Sequence, residues 1–184
     1  MTSMTLTFAR RAAWALIACA AFILAGCSTV DRGAAPGVSA KAQWVVLPFA
    51  NNTETPLAGS RAEALAEGLL RTAGIAKVKR YPGGQQDALF EPGDRKQQEA
   101  ALEWAKAQGA RYGLTGSVDE WRYKVGVDGE PAVGLALNIV DIASGEVLWS
   151  GVGGKSGWAR ESVAAVAQQL MRSLLDAGLA AKED

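Results

Sequence analysis

The segment from about Glu161 to Ala177 constrains this chain more than any other, because Val163, Val166, Ala167, Leu170, Met171, Leu174 and Leu175 recur at the spacing of one helical face. A helix with so continuous an apolar stripe needs a second apolar surface to lie against. The residues before it predict that surface. Tyr112 to Val125, Ala132 to Ile142 and Glu146 to Gly151 read as three antiparallel strands joined at Asp128-Gly129 and Ser144-Gly145, with Val133, Leu135, Leu137 and Ile139 in clear alternation.

Upstream, the pattern switches between strand and helix. Trp44-Val45-Val46-Leu47, closed by Pro48, suits a strand buried on both faces, and Asn51-Asn52-Thr53 reads as loop. Ser60 and Glu63 form an S-x-x-E capping box for a helix carrying Ala62, Leu65, Ala66, Leu69 and Leu70, which Gly74 closes. Ile75 to Tyr81 is a short second strand, followed by a loop from Pro82-Gly83-Gly84 to Pro92-Gly93. Asp94 and Gln97 then cap a helix from Arg95 to Gln108, with Ala101, Trp104 and Ala105 on one stripe and Gly109 as its stop. The expected fold is a layered single-domain α/β protein with a mixed β-sheet in the order β-α-β-α-β-β-β-α. Its N-terminal half is built from crossovers, its C-terminal half is an antiparallel meander, and the C-terminal helix packs on the sheet. No internal repeat is visible.

The first residues belong to export. Arg10 and Arg11 supply a basic region, Ala12 to Ala25 an apolar stretch shorter than the ~20 residues of a spanning helix, and Leu24-Ala25-Gly26-Cys27 a lipobox. Residues 1–26 are expected to be a cleaved signal peptide and Cys27 the acylated first residue of a lipoprotein. Acyl chains contribute about 0.8 kcal/mol per buried CH₂, enough together for a stable anchor. Ser28 follows the cysteine where inner-membrane retention would favour Asp, so sorting to the periplasmic face of the outer membrane is expected. Residues 27–40, rich in Ser, Gly, Ala and Pro, read as the lipidated cysteine and a flexible tether, and residues 41–180 as one periplasmic domain.

The composition removes several function classes. The chain has no histidine, and its two cysteines are Cys19, in the leader, and Cys27. A Ser-His-Asp or Cys-His nucleophile is therefore excluded, and zinc or copper sites are not expected. No cofactor is called for. The 19 basic and 19 acidic residues balance over the full chain, and acids prevail once Arg10 and Arg11 depart, so nothing points to nucleic acid. Gly154-Lys155-Ser156 resembles the end of a phosphate loop, but Trp149 stands where the first glycine belongs, and a Gly-rich strand-to-helix turn is the expected reading. Asp119 and Glu120 are adjacent, and neighbours on a regular strand point to opposite faces, so they do not make a carboxylate pair across one glycosidic bond. Asp119 with Asp141 is a further combination. Trp121, Trp149 and Trp158 lie near Arg122, Tyr123 and Arg160, and both core packing and a protein or membrane interface are open to them.

Several segments resemble the PelC family of outer-membrane lipoproteins from the Pel exopolysaccharide export system. They are W-V-V-L-P-F-A-N-N-T, R-A-E-A-L-A-E-G-L-L, A-Q-G-A-R-Y-G-L-T-G-S-V-D-E-W-R-Y-K, D-G-E-P-A-V-G-L, and S-G-E-V-L-W-S followed by G-W-A-R-E-S. The opening strand and the S-G-E-V-L-W hairpin are shared more loosely with other secretion lipoproteins, including the curli channel protein CsgG. The resemblance implies a protein that is not an enzyme: a ring of identical copies beneath the outer membrane, working with the PelB porin and offering an acidic funnel to the Pel polysaccharide, a glycan that is cationic where deacetylated. It further implies Asp119 and Glu120 as funnel acids, Trp149 as a lipid-facing aromatic and Arg160 as an interface contact, while Trp121 and Trp158 are membrane or interface candidates on the residue pattern alone. A periplasmic binding module that activates a cell-wall synthesis enzyme is the alternative.

Overall fold

The computed structural model describes residues 28–85, 95–126 and 129–180. The expected signal peptide, Cys27, the expected Pro92-Gly93 turn and Asp94 cap, and Asp128 lie outside the described residues. The elements are β1 (Ser28–Arg32), β2 (Trp44–Asn51), α1 (Ala58–Thr72), β3 (Val78–Arg80), α2 (Arg95–Ala107), β4 (Tyr112–Lys124), β5 (Glu130–Asp141), β6 (Val147–Ser156) and α3 (Val163–Gly178), with one 3₁₀ turn at Pro82–Gln85. They form a single α/β domain around a six-stranded sheet in the order β1-β6-β5-β4-β2-β3.

β2 lies parallel to both β3 and β4, while β4, β5 and β6 form the expected antiparallel meander. The two crossovers lead to opposite faces. α1 joins α3 on one face, where Leu69, Leu70, Leu170 and Leu174 close over Val46, Leu114, Leu135 and Ile139. α2 lies on the other, its Ala101 and Ala105 against Val45, Leu47, Val140 and Ile142. Full burial of each large aliphatic side chain contributes about 1.5–3 kcal/mol, so the α3 stripe accounts for much of the domain's cohesion. Gly109 adopts φ 67° after α2 and permits the helix to end in a turn, with Gly109 N–H reaching the Lys106 carbonyl.

Residues 28–40 are not a tether. β1 pairs antiparallel with β6 from Ser28 opposite Lys155 to Arg32 opposite Gly151, and Gly33 N–H continues to the Ser150 carbonyl at 3.0 Å. Beyond it, Trp44 Nε1 donates to the Ser39 carbonyl at 3.1 Å, so the connection follows the body of the domain. The same pairing corrects the length of β6, which runs through Gly154-Lys155-Ser156 instead of turning there. Amides engaged in strand ladders on both sides cannot cradle a phosphate, so the loop reading fails with the turn.

α1 also starts differently. Leu57, at φ 61° and without a side-chain cap, precedes it, and Ser60 lies inside the helix. Glu63 is unavailable to Ser60 because its Oε1 accepts the Phe49 N–H at 3.0 Å, within the stretch of β2 around Pro48 where the ladder to β4 shifts register. The strand thus continues past Pro48, whose carbonyl accepts from Thr115 Oγ1 at 2.8 Å.

Candidate functional site

A β-bulge organises the acidic residues. Val118 pairs with Leu135 and Glu120 with Gly134, leaving Asp119 as the extra residue of β4. Val118 and Trp121 both enter the main core, so Asp119 and Glu120 both fall outside it. This corrects the expectation that they occupy opposite faces of a regular strand.

The two carboxylates differ in their partners. Asp119 Oδ1 accepts from Asn52 Nδ2 at 2.7 Å and its Oδ2 from Ser117 Oγ at 3.1 Å, while Asn52 N–H holds the Val118 carbonyl at 2.9 Å. Both donors are neutral, and among the described residues no lysine or arginine forms an ion pair with Asp119. Glu120 Oε1, by contrast, meets Arg122 Nε at 2.8 Å. Asp119 therefore presents its charge to solvent uncompensated, whereas that of Glu120 is largely cancelled at short range. The Asn51–Thr55 loop is itself held by local bonds, with Asn51 Oδ1 accepting from Thr53 N and Oγ1 and Thr55 Oγ1 donating to the Trp121 carbonyl.

Asp141 stands at the far end of the β4–β5 ladder, opposite Tyr112, six pairs from Val118 and so on the order of 20 Å away. It cannot combine with Asp119. Its Oδ1 accepts from Ala143 N–H at 2.9 Å and Ser144 N–H at 3.1 Å, and Oδ2 meets Arg111 Nη2 at 3.0 Å. The Ser144 N–H foremost, with Ala143 N–H and Arg111, holds this carboxyl below the ordinary carboxylate range against the opposing effect of burial. It organises the β5–β6 turn. Among the described residues no three Asp, Glu, Cys or His side chains gather as a metal site would require.

The tryptophans separate cleanly. Trp121 is buried in the main core. Trp149 is only 3% exposed, its Nε1 donating to the Gly33 carbonyl at 3.1 Å. Within the single chain each indole is committed to packing. Trp158 is 59% exposed, on a turn where its N–H donates to Glu161 Oε2 at 3.2 Å. Arg160, at φ 78°, donates its N–H to Tyr123 Oη at 3.1 Å, and Tyr123 Oη donates to the Gly129 carbonyl at 2.9 Å. Asp119, Glu120, Trp158 and Arg160 thus gather at one end of the sheet, while Trp149 sits toward the other. Beside them Thr55, Arg61, Trp121, Arg122, Tyr123 and Val163 line a hollow of about 450 Å³.

Fold and surface together define a single-domain α/β protein that carries exposed acidic, basic and aromatic side chains on one rim of an open mixed sheet. The solved PelC dodecamer from Paraburkholderia phytofirmans is similar to it at 39% identity and a TM-score of 0.72, over 85% of this chain and 100% of that one. The chain belongs to the PelC family. A single-substitution variant of the same dodecamer matches at 39% identity and a TM-score of 0.71, over 84% and 99% of the two chains. The C-terminal domain of LpoB from Salmonella enterica is a distant neighbour, at 26% identity and a TM-score of 0.43 over 65% of this chain and 86% of that one. No family model and no curated protein matches the chain.

Proposed function

We propose that the chain is one subunit of a lipid-anchored ring beneath the outer membrane that guides the Pel polysaccharide to the PelB porin. The observation that carries this reading is its 39% identity, over the whole length of the relative, to a PelC that crystallised as a dodecamer. In a ring each exposed Asp119 recurs once per subunit, and charges repeated around a confined opening reinforce one another's field on a cationic glycan. Glu120, already paired with Arg122, contributes less.

The membrane side of the ring follows from β1. Cys27 immediately precedes Ser28, which pairs with Lys155 at the sheet end that also carries Trp158, Tyr123 and Val125, all exposed. An acylated Cys27 would leave the domain at this rim, where aromatic rings with basic neighbours such as Lys124 and Arg160 suit the headgroup layer. Among the described residues no helix is long and apolar enough to cross a membrane, and the lipid is the proposed attachment.

Two results test the reading. The full lipoprotein, extracted in detergent and examined by mass photometry and electron microscopy, is expected to form closed rings; protomers alone at high concentration would refute the assembly. Asp119→Lys is expected to reduce surface Pel at least several-fold in a strain carrying only the variant, with the thermal midpoint unchanged, whereas Glu120→Gln has little effect. Undiminished export by Asp119→Lys would remove that carboxylate from the funnel.

A further inference from the structure

The two edges of the sheet are finished differently. At one edge β3 is only three residues long, and Arg71 Nη2 occupies the Val78 carbonyl at 2.6 Å. At the other lies β1. Gly33 N–H donates to the Ser150 carbonyl directly across the β1–β6 register, and bonded and non-bonded pairs alternate along an antiparallel ladder. Thr29 and Asp31 therefore bond inward to β6. The amides and carbonyls of Val30 and Arg32 point away from the sheet, and among the described residues nothing bonds them. No proline, lysine or bulge closes this edge.

Beside the edge lies a groove of matching direction. Val30 packs toward the main core, and Arg32, two residues on, shares its face and donates from Nη1 to the Ser173 carbonyl of α3 at 3.2 Å. The groove, about 490 Å³ in volume, follows α3 and is lined by Arg32, Gln168, Arg172, Ser173 and Asp176 among others. Among the described residues Arg172 forms no ion pair and no side-chain hydrogen bond, even with Asp176 one turn away. Arg32 meets only a neutral carbonyl. Two guanidinium groups thus face the groove against one carboxylate.

We propose that β1 accepts an extended acidic segment of another protein as an added strand, its acidic side chains entering the groove beside Arg32 and Arg172. Outward amides and carbonyls at strand spacing fit a polypeptide backbone, and a polysaccharide has no such ladder to offer. The two guanidinium groups repel a cationic glycan and select carboxylates, which they can hold in bidentate pairs. An added strand turns every second side chain toward α3, so the acids recur at alternate positions. The intervening side chains fall beside Thr29 and Asp31, where a further acid is disfavoured. Edge and groove belong to one protomer, so the inference does not rest on ring formation.

The test uses the full lipoprotein in detergent and fluorescent peptides of about eight residues, alternating either glutamate or lysine with threonine, read by anisotropy. The glutamate peptide is expected to bind saturably below about 1 mM and the lysine peptide not at all. Arg172→Glu should weaken binding at least about tenfold with the thermal midpoint unchanged, since the residue is exposed and has no partner to lose. Methylating the backbone nitrogens of every second peptide residue should abolish binding in one phase and spare it in the other, because only one set of amides faces β1. Equal binding of the two peptides, or an unaffected Arg172→Glu, would overturn the groove. Equal effects of the two methylation phases would overturn strand addition. Rings that dissociate as the peptide binds would place a second copy on this edge and overturn the inference as well, whereas binding by protomers that never assemble would sustain it while the ring fails.

Discussion

Trp149→Ala is expected to destabilise the domain by about 3–5 kcal/mol, the range for truncating a buried tryptophan. The indole fills a slot made by three glycines. A Cβ on Gly151 would collide with its six-membered ring, one on Gly178 would stand 3.0 Å from its Cδ2, and Gly33 both flanks it and accepts the bond from Nε1. The three glycines have no side chains to fill the space, and the Gly33 carbonyl loses its donor. Urea unfolding followed by circular dichroism measures the loss. Trp158→Ala, by contrast, removes an exposed ring and should change stability by no more than about 0.5 kcal/mol while weakening membrane association of the lipoprotein. If Trp149→Ala cost under about 1 kcal/mol and instead released the protein from membranes, the indole would be facing lipid.

What the sequence conceals here is the company a residue keeps across long separations. The α3 stripe, the meander and the helix between Arg95 and Gly109 are legible because each declares itself within a dozen residues: period, turn and stop are local. Trp149 is not, since two of the three glycines that house it, Gly33 and Gly178, come from the start and the last helix of the domain, and only Gly151 lies on its own strand. The tether and the early end of β6 fail for a single reason. Ser28–Arg32 and Gly151–Ser156 are poor in large apolar residues, so neither signals a strand alone, and only their pairing makes both strands.

The acidic site shows the same limit on a smaller scale. The Asp119-Glu120 doublet is visible, but the bulge that turns both residues away from the core is a one-residue shift in pairing with β5, which no property of β4 announces. Glu63 carried a usable signal. It stands beside Ala62 and Ala66 on the buried side of α1, and a carboxylate on such a face demands a partner outside the helix.

Glu63 yields the second large effect. Only 6% exposed, it holds Phe49 N–H under the irregular turn of β2 that leads to the Asn52–Asp119 contact, and α1 lies so close that a Cβ on Gly59 would stand 2.5 Å from the Phe49 carbonyl oxygen. Glu63→Ala leaves that amide without its acceptor, at a cost of about 1–3 kcal/mol before the lost packing is counted. Glu63→Gln keeps an acceptor of the same shape and should be far milder. The two forms also separate with pH. Burial raises the carboxyl above its usual 4.5, against the opposing Phe49 N–H bond and Arg80. A carboxyl raised in the folded state favours folding fully below the unfolded value and loses that contribution as pH rises through the folded one. Wild-type stability should therefore fall relative to Glu63→Gln as pH climbs from 4.5 and then run parallel to it. Denaturant midpoints for both proteins across this range decide the matter: a constant difference from acid to neutral pH would mean that Glu63 is no more hindered from ionising in the fold than in the unfolded chain.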